Sequence, residues 1–165
     1  MIKQIKNNIW QFHFQNFGSC IYLIKIKEKI ILIDTSSKNC KQELLNDLKE
    51  LKIKPEQIKI IILTHNHYDH IENTNLFKNA KIYSQENINN LKIKDFKIIN
   101  TPGHTDKDIC ILYKKVLFSG DIIFDKKHNY IGRTDFPESN EQKMQESLEK
   151  LKNLNYEILC PGHLV

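Results

Sequence analysis

One stretch constrains this chain more than any other. An apolar run, Ile58-Lys59-Ile60-Ile61-Ile62-Leu63, leads into Thr64-His65-Asn66-His67-Tyr68-Asp69-His70. The run reads as a buried strand, because β-branched side chains fit a pleated, covered surface. Three of the protein's seven histidines and a carboxylate then follow within a few residues. Ring nitrogens and a hard oxygen are the donor set that suits Zn²⁺, Fe²⁺ or Mn²⁺. Positions 65, 67, 69 and 70 do not share one helical face. On a turn leaving a strand end they can converge on a single pocket. The plainer alternative is a polar loop rich in histidine by chance.

A chain of 165 residues is most simply one domain, long enough to bury a core. Its 40% hydrophobic and 27% charged residues are an ordinary globular balance, not a disordered or fibrous one. No apolar run approaches the roughly 20 residues that span a bilayer. Met1 to Asn8 carries charge but leads into no signal-type apolar segment. The expected location is therefore the cytoplasm. The four cysteines Cys20, Cys40, Cys110 and Cys160 form no Cys-x-x-Cys pair and are expected to be reduced, mostly buried thiols. The net charge of +5 is spread along the chain, which suits a solvated lysine-rich surface better than a nucleic-acid stripe. Arg133 is the sole arginine among 25 basic Lys and Arg residues, so a planar, bidentate group is wanted at that position.

Periodicity sets the expected elements. Strands are predicted over Ile9–Phe14, Cys20–Ile26, Lys29–Ile33, Ile58–Leu63, Lys81–Ser84, Phe96–Ile99, Asp108–Tyr113, Val116–Ser119 and Tyr156–Leu159. Helices are predicted from Lys41 to Leu51, on the stripe Leu44, Leu45, Leu48 and Leu51, and briefly from Ile71 to Phe77. A third is expected to open on a capping box, Ser139-Asn140-Glu141-Gln142, and to run to about Asn153. Residues 85–94 read as a short helix and loop, and 125–137 as a polar loop. The order is a mixed α/β plan with helices covering sheet faces.

The reactive residues fall at strand ends. His65, His67, Asp69 and His70 follow one strand, His104 a second, Asp121 a third and His163 a fourth. Loops at one edge of a sheet carry function because the scaffold can aim them together. His13 and His128 lack this placement and read as ordinary polar positions. Asp34, at the end of another strand, reads equally as a turn cap or as a group holding a ligand histidine.

The set resembles the metallo-β-lactamase superfamily. The His-x-His-x-Asp-His motif stands as His65-Asn66-His67-Tyr68-Asp69-His70. Pro102-Gly103-His104-Thr105, Ser119-Gly120-Asp121 and Pro161-Gly162-His163 follow in order, and Ile33-Asp34-Thr35 matches the family's strand-end acid. The resemblance covers roughly residues 9–165. It implies a short version of the αβ/βα four-layer sandwich with two divalent ions, zinc first and iron or manganese as alternatives. His65, His67 and His104 would hold one ion, Asp69, His70 and His163 the other, and Asp121 would bridge them. Asp69 and Asp121 would thereby place the nucleophilic hydroxide. Asp34 becomes the residue that orients a ligand histidine.

Within that superfamily, Gly132-Arg133-Thr134-Asp135 is similar to hydroxyacylglutathione hydrolases (glyoxalase II-like proteins) and to persulfide dioxygenases. It implies that Arg133 and Asp135 pair to hold the loop, with substrate contact as the second role. The leading function is hydrolysis of a small-molecule thioester or related activated ester. The alternatives are a mononuclear iron persulfide dioxygenase using His65, His104 and Asp121, and a superfamily RNA-processing nuclease. Nucleic acid and membrane are not expected partners, and the sequence does not set the oligomeric state. The chain departs from the family pattern at Glu72-Asn73, where glycines are usual. It also ends two residues after His163, so residues 1–165 are read as a single domain without the C-terminal helical domain of full-length glyoxalase II.

Overall fold

The computed structural model describes every residue except His128 and Val165. The expectation for His128 therefore lies outside the described residues. The chain divides into two compact units, Met1–Tyr83 and Ser84–Val165.

The first unit opens with strands β1 (Ile2–Lys6), β2 (Ile9–Phe12), β3 (Ile21–Ile26) and β4 (Lys29–Ile33). Helix α1 (Lys41–Glu50), strand β5 (Ile58–Ile62), the one-turn helix α2 (Tyr68–Ile71) and strand β6 (Lys81–Tyr83) follow. The strands form one sheet in the order β1-β2-β3-β4-β5-β6. The first four pair antiparallel, while β4, β5 and β6 run parallel. Parallel neighbours need a crossover, and α1 lies in the first one. Leu44 and Leu48 of α1 pack on Phe12, Ile21, Leu23, Leu32, Ile58 and Ile61. The alternate residues Ile24, Ile31, Ile33, Ile60 and Ile62 are buried as well. Strands covered on both faces lose the polar alternation, which is why β5 reads as a continuous apolar run.

Strand β1 falls where no strand was expected. It carries apolar residues at Ile2 and Ile5, and the pairing with β2 shifts register between Gln4 and Lys6. A bulge breaks the period of two that marks a strand. Helix α2 also corrects the expected boundaries. It begins inside the histidine stretch, with His67 at its N-terminal boundary, and residues 74–76 form a separate single 3₁₀ turn. Asp69 and His70 thus sit on a helical turn, while His65 and His67 precede it.

The second unit holds β7 (Phe96–Asn100), β8 (Ile109–Tyr113), β9 (Val116–Gly120), helix α3 (Glu141–Lys152) and β10 (Ile158–Pro161). The sheet order is β10-β9-β8-β7; β7, β8 and β9 form an antiparallel meander, and β10 pairs parallel with β9. Met144, Leu148 and Leu151 of α3 pack on Ile99, Cys110, Leu117, Ile122 and Ile123. The expected start of α3 is off by one residue. Asn140 caps the helix, its side-chain oxygen accepting the Lys143 N–H at 2.9 Å. Ser139 instead donates its hydroxyl to the His104 carbonyl at 2.6 Å. The last strand lies two residues beyond its expected position. It includes Pro161, which an edge strand tolerates because its missing N–H leaves no central ladder bond unmade.

All four cysteines are buried free thiols. Burial pushes the Cys110 thiol up to about 12, which removes the reactive thiolate at neutral pH. Among the described residues no helix is long and apolar enough to cross a membrane.

Candidate metal centre

In the first unit the histidine stretch leaves β5 and is anchored at once. Leu63 N donates to Tyr83 O at 2.8 Å. Asp34 follows β4, is 2% exposed and has a φ of 60°. Its carboxylate accepts the Thr64 backbone N–H at 2.8 Å and the Thr64 hydroxyl at 2.8 Å. The same oxygen, Oδ2, lies 2.8 Å from Nδ1 of His70, which is fully buried. An ionised carboxylate only accepts, so it fixes the His70 proton on Nδ1 and leaves the lone pair on Nε2. A similar argument covers His65. The Thr64 hydroxyl gives its one proton to Asp34, so it accepts from His65 Nδ1 at 3.1 Å.

These side chains gather closely. The His65 ring lies 4.0 Å from that of His70 and 4.7 Å from that of His67, centroid to centroid. Candidate ligand atoms of His65 and His67, of His65 and His70, and of Asp69 and His70 lie within 4.8 Å of each other. Asp69 is also built in through its backbone, accepting from Ser19 N at 3.0 Å.

The second unit brings together His104, Asp121 and His163. Gly103 precedes His104 in close packing, since a Cβ there would lie 2.5 Å from the Met144 Cα. The turn is shaped by Asp108, which accepts the Thr105 N–H at 2.6 Å and the Thr105 hydroxyl at 2.7 Å. His104 Nδ1 donates to the Arg133 carbonyl at 2.9 Å, again leaving the lone pair on Nε2. That nitrogen lies 3.7 Å from Asp121 Oδ2, and His163 Nε2 lies 3.4 Å from the same oxygen. His163 is brought there by Gly162, whose N–H donates to Gly120 O at 2.7 Å where β10 and β9 end.

The Arg133 segment packs on this group. A Cβ on Gly132 would sit 1.8 Å from the Asp121 carbonyl oxygen, so the chain passes there only as glycine. Arg133 meets Asp135 through two bonds, Nε to Oδ1 at 2.9 Å and Nη2 to Oδ2 at 2.7 Å. The hydrogen bonds that Arg133 donates hold the Asp135 carboxyl below its ordinary value and raise Arg133 above its own. The guanidinium stacks 4.7 Å over Phe136, and Phe136 meets the His104 ring edge-on at 5.6 Å.

Each sequence-predicted residue thus has a place. His65, His67, Asp69, His70 and Asp34 gather in the first unit; His104, Asp121, His163, Arg133 and Asp135 gather in the second. The residues not foreseen are Asp108, Ser139 and Asn73, whose partners are remote carbonyls or a turn. The Thr105-x-x-Asp108 spacing is a local signal for the first; Asn73 has none.

The profile of the metallo-β-lactamase superfamily matches residues 16–92 and 84–163, and the chain belongs to that superfamily. A probable metallo-hydrolase of Methanocaldococcus jannaschii is 36% identical over 145 residues, covering 81% of this chain and 70% of its own length. Hydroxyacylglutathione hydrolase 1 of Vibrio vulnificus is 28% identical over 153 residues, covering 82% of this chain, which spans 57% of that enzyme. Among solved structures, TTHA1623 in a di-iron-bound form is 21% identical with a TM-score of 0.75, over 93% of this chain and 91% of the other. ETHE1 from Myxococcus xanthus is 24% identical with a TM-score of 0.74, over 95% and 76% respectively. The fold is therefore the metallo-β-lactamase fold, and the superfamily is one of metallo-hydrolases that bind divalent metals.

Proposed function

We propose that the chain is a two-metal hydrolase of thioesters or related activated esters, its two units acting as one catalytic domain. His65, His67 and His104 would hold one ion and Asp69, His70 and His163 the other, with Asp121 the acid offered to both. Zinc is the first choice of metal, with iron and manganese next. The observation that carries this reading is the preset protonation of the histidines. His70, His104 and His65 each commit Nδ1 to a hydrogen bond, on Asp34, the Arg133 carbonyl and the Thr64 hydroxyl. Three buried rings are thereby preset as Nε2 donors, which suits metal binding better than a core role. Two ions held there supply a hydroxide nucleophile near neutral pH and positive charge against a developing oxyanion.

The chain's residues do the rest. Asp34 keeps His70 in one tautomer. The Arg133–Asp135 pair keeps its loop against His104, with substrate contact as its second role. A thiolate leaves without needing a proton, which suits a site whose acids are committed to ligation. The relatedness to hydroxyacylglutathione hydrolases supports a thioester, with the acyl group and the thiol left to experiment.

The test is hydrolysis of S-lactoylglutathione and of a simpler thioester by metal-loaded protein. Activity is expected in the wild type and loss to background in His65→Ala and Asp121→Ala; full activity in both variants contradicts the reading. The Gly132-Arg133-Thr134-Asp135 segment, similar also to persulfide dioxygenases, keeps a second reading, a mononuclear iron dioxygenase on His65, His104 and Asp121. One iron per chain with oxygen consumption on a persulfide would favour it.

A further inference from the structure

Asn73 lies three residues beyond the histidine stretch and is 2% exposed. Its Nδ2 donates to Thr35 O at 2.9 Å and Ser37 O at 2.6 Å, with Ser36 O at 3.4 Å. Two N–H groups thus serve three successive carbonyls. The neighbouring Glu72 accepts the Lys38 N–H at 2.8 Å. Together they clasp residues 35–38 from one side. Gly18 bounds the segment from another, since a Cβ there would lie 2.3 Å from Ser36 Oγ and 2.7 Å from Cys40 Sγ.

The clasped segment needs holding. Asp34 and Ser36 have φ values of 60° and 62°, a region that residues with a Cβ occupy only when their surroundings impose it. The segment also grips both ends of His70. Asp34 Oδ2 accepts a hydrogen bond from its Nδ1 at 2.8 Å. Thr35 donates its N–H and its hydroxyl to the His70 carbonyl at 2.7 and 3.1 Å.

We infer that Asn73 is a positioning residue: it locks the Asp34–Ser37 segment and thereby aims His70. The proposal rests on the two-metal reading for its functional meaning, but the aim of the ring is measurable without metal. Asn73→Asp keeps the size and sets a carboxylate against three carbonyl oxygens. Glu72→Ala is the control, since it removes the Lys38 N–H bond and the Lys38 ion pair but leaves the carbonyls of Thr35, Ser36 and Ser37 held by Asn73.

Two measurements on the full chain test it. In metal-free protein, nitrogen-15 spectra of the imidazoles follow the His70 Nδ1 proton. It is expected to be slowly exchanging in the wild type and in Glu72→Ala, and lost or strongly broadened in Asn73→Asp. In zinc titration against a competing chelator, Asn73→Asp is expected to keep one ion and to hold the other at least about tenfold more weakly, the scale of a lost supporting contact. Should Asn73→Asp fail to fold, Asn73→Ser, which keeps a single donor, is read in the same way. A merely structural Asn73 would lower the unfolding midpoint while leaving the His70 proton and both affinities at wild-type values, and that result overturns the proposal. A wild type with a fixed His70 proton and fewer than two ions overturns the two-metal reading instead, leaving the positioning role to the imidazole spectra.

Discussion

Gly132 is where one missing methyl group decides the geometry of the second unit. The Asp121 carbonyl oxygen occupies the place a Cβ would take, 1.8 Å away. Gly132→Ala must displace the next residue, Arg133, whose carbonyl fixes the His104 proton. Forcing a methyl into filled space costs about 1–3 kcal/mol. An unfolding free energy from urea titration lowered by that amount, with thioester hydrolysis falling alongside, is the expected result; wild-type stability contradicts the close packing at Gly132. At this scale the sequence was half legible. Histidine and aspartate at strand ends announce a donor set because few other roles want them together. Asp108 has a local signal in its spacing from Thr105, but Asn73 and Ser139 announce nothing, because an amide or hydroxyl acquires its meaning from partners dozens of residues away, here the Thr35–Ser37 carbonyls and the His104 carbonyl.

The elements followed from periodicity wherever their pattern was intact. Helix α3 is one such case, and its apolar face carries a measurable load. Leu148 packs beside Met144 and Leu151 on the second sheet, and Leu148→Ala is expected to cost about 2–5 kcal/mol by chemical denaturation. A cost under about 0.5 kcal/mol would mean that this face is not the core.

Helix α1 ties down the loop before β3 through Glu43, which accepts the Gln15 N–H at 2.9 Å, the Asn16 N–H at 3.2 Å and the Asn16 amide at 2.8 Å. Burial pushes this carboxyl up, but those three bonds together hold it below its ordinary 4.5. A carboxyl depressed in the fold stabilises above its unfolded pKa, and that stability is lost as pH falls through the folded pKa. Glu43→Gln is therefore expected to lower the midpoint near neutral pH by a gap that narrows at an acid pH below the ordinary 4.5. A gap of equal size at both pH values would contradict the linkage. Where periodicity misled, a local irregularity was the cause. The register shift hid β1, and the N-terminal turn of α2 lies among polar residues with no apolar stripe to mark it.

At the scale of the whole molecule, each unit has its own core and its own share of the histidines and acids. The first contributes His65, His67, Asp69 and His70, the second His104, Asp121 and His163. The order of those residues along the chain was readable because each closes an apolar strand. Of the devices that preset their protonation, Asp34 was expected to orient a ligand histidine; the Arg133 carbonyl on His104 was not, since it belongs to a tertiary contact. The superfamily is shown by the sequence match across both units. What the site does turns on how many ions it holds. Metal content by element and stoichiometry, on protein purified without added metal, decides this. Two divalent ions per chain are expected, with the pair lost from Asp121→Ala. Metal-free protein that takes up no zinc, or a single iron per chain that supports oxygen consumption, would contradict the two-metal reading.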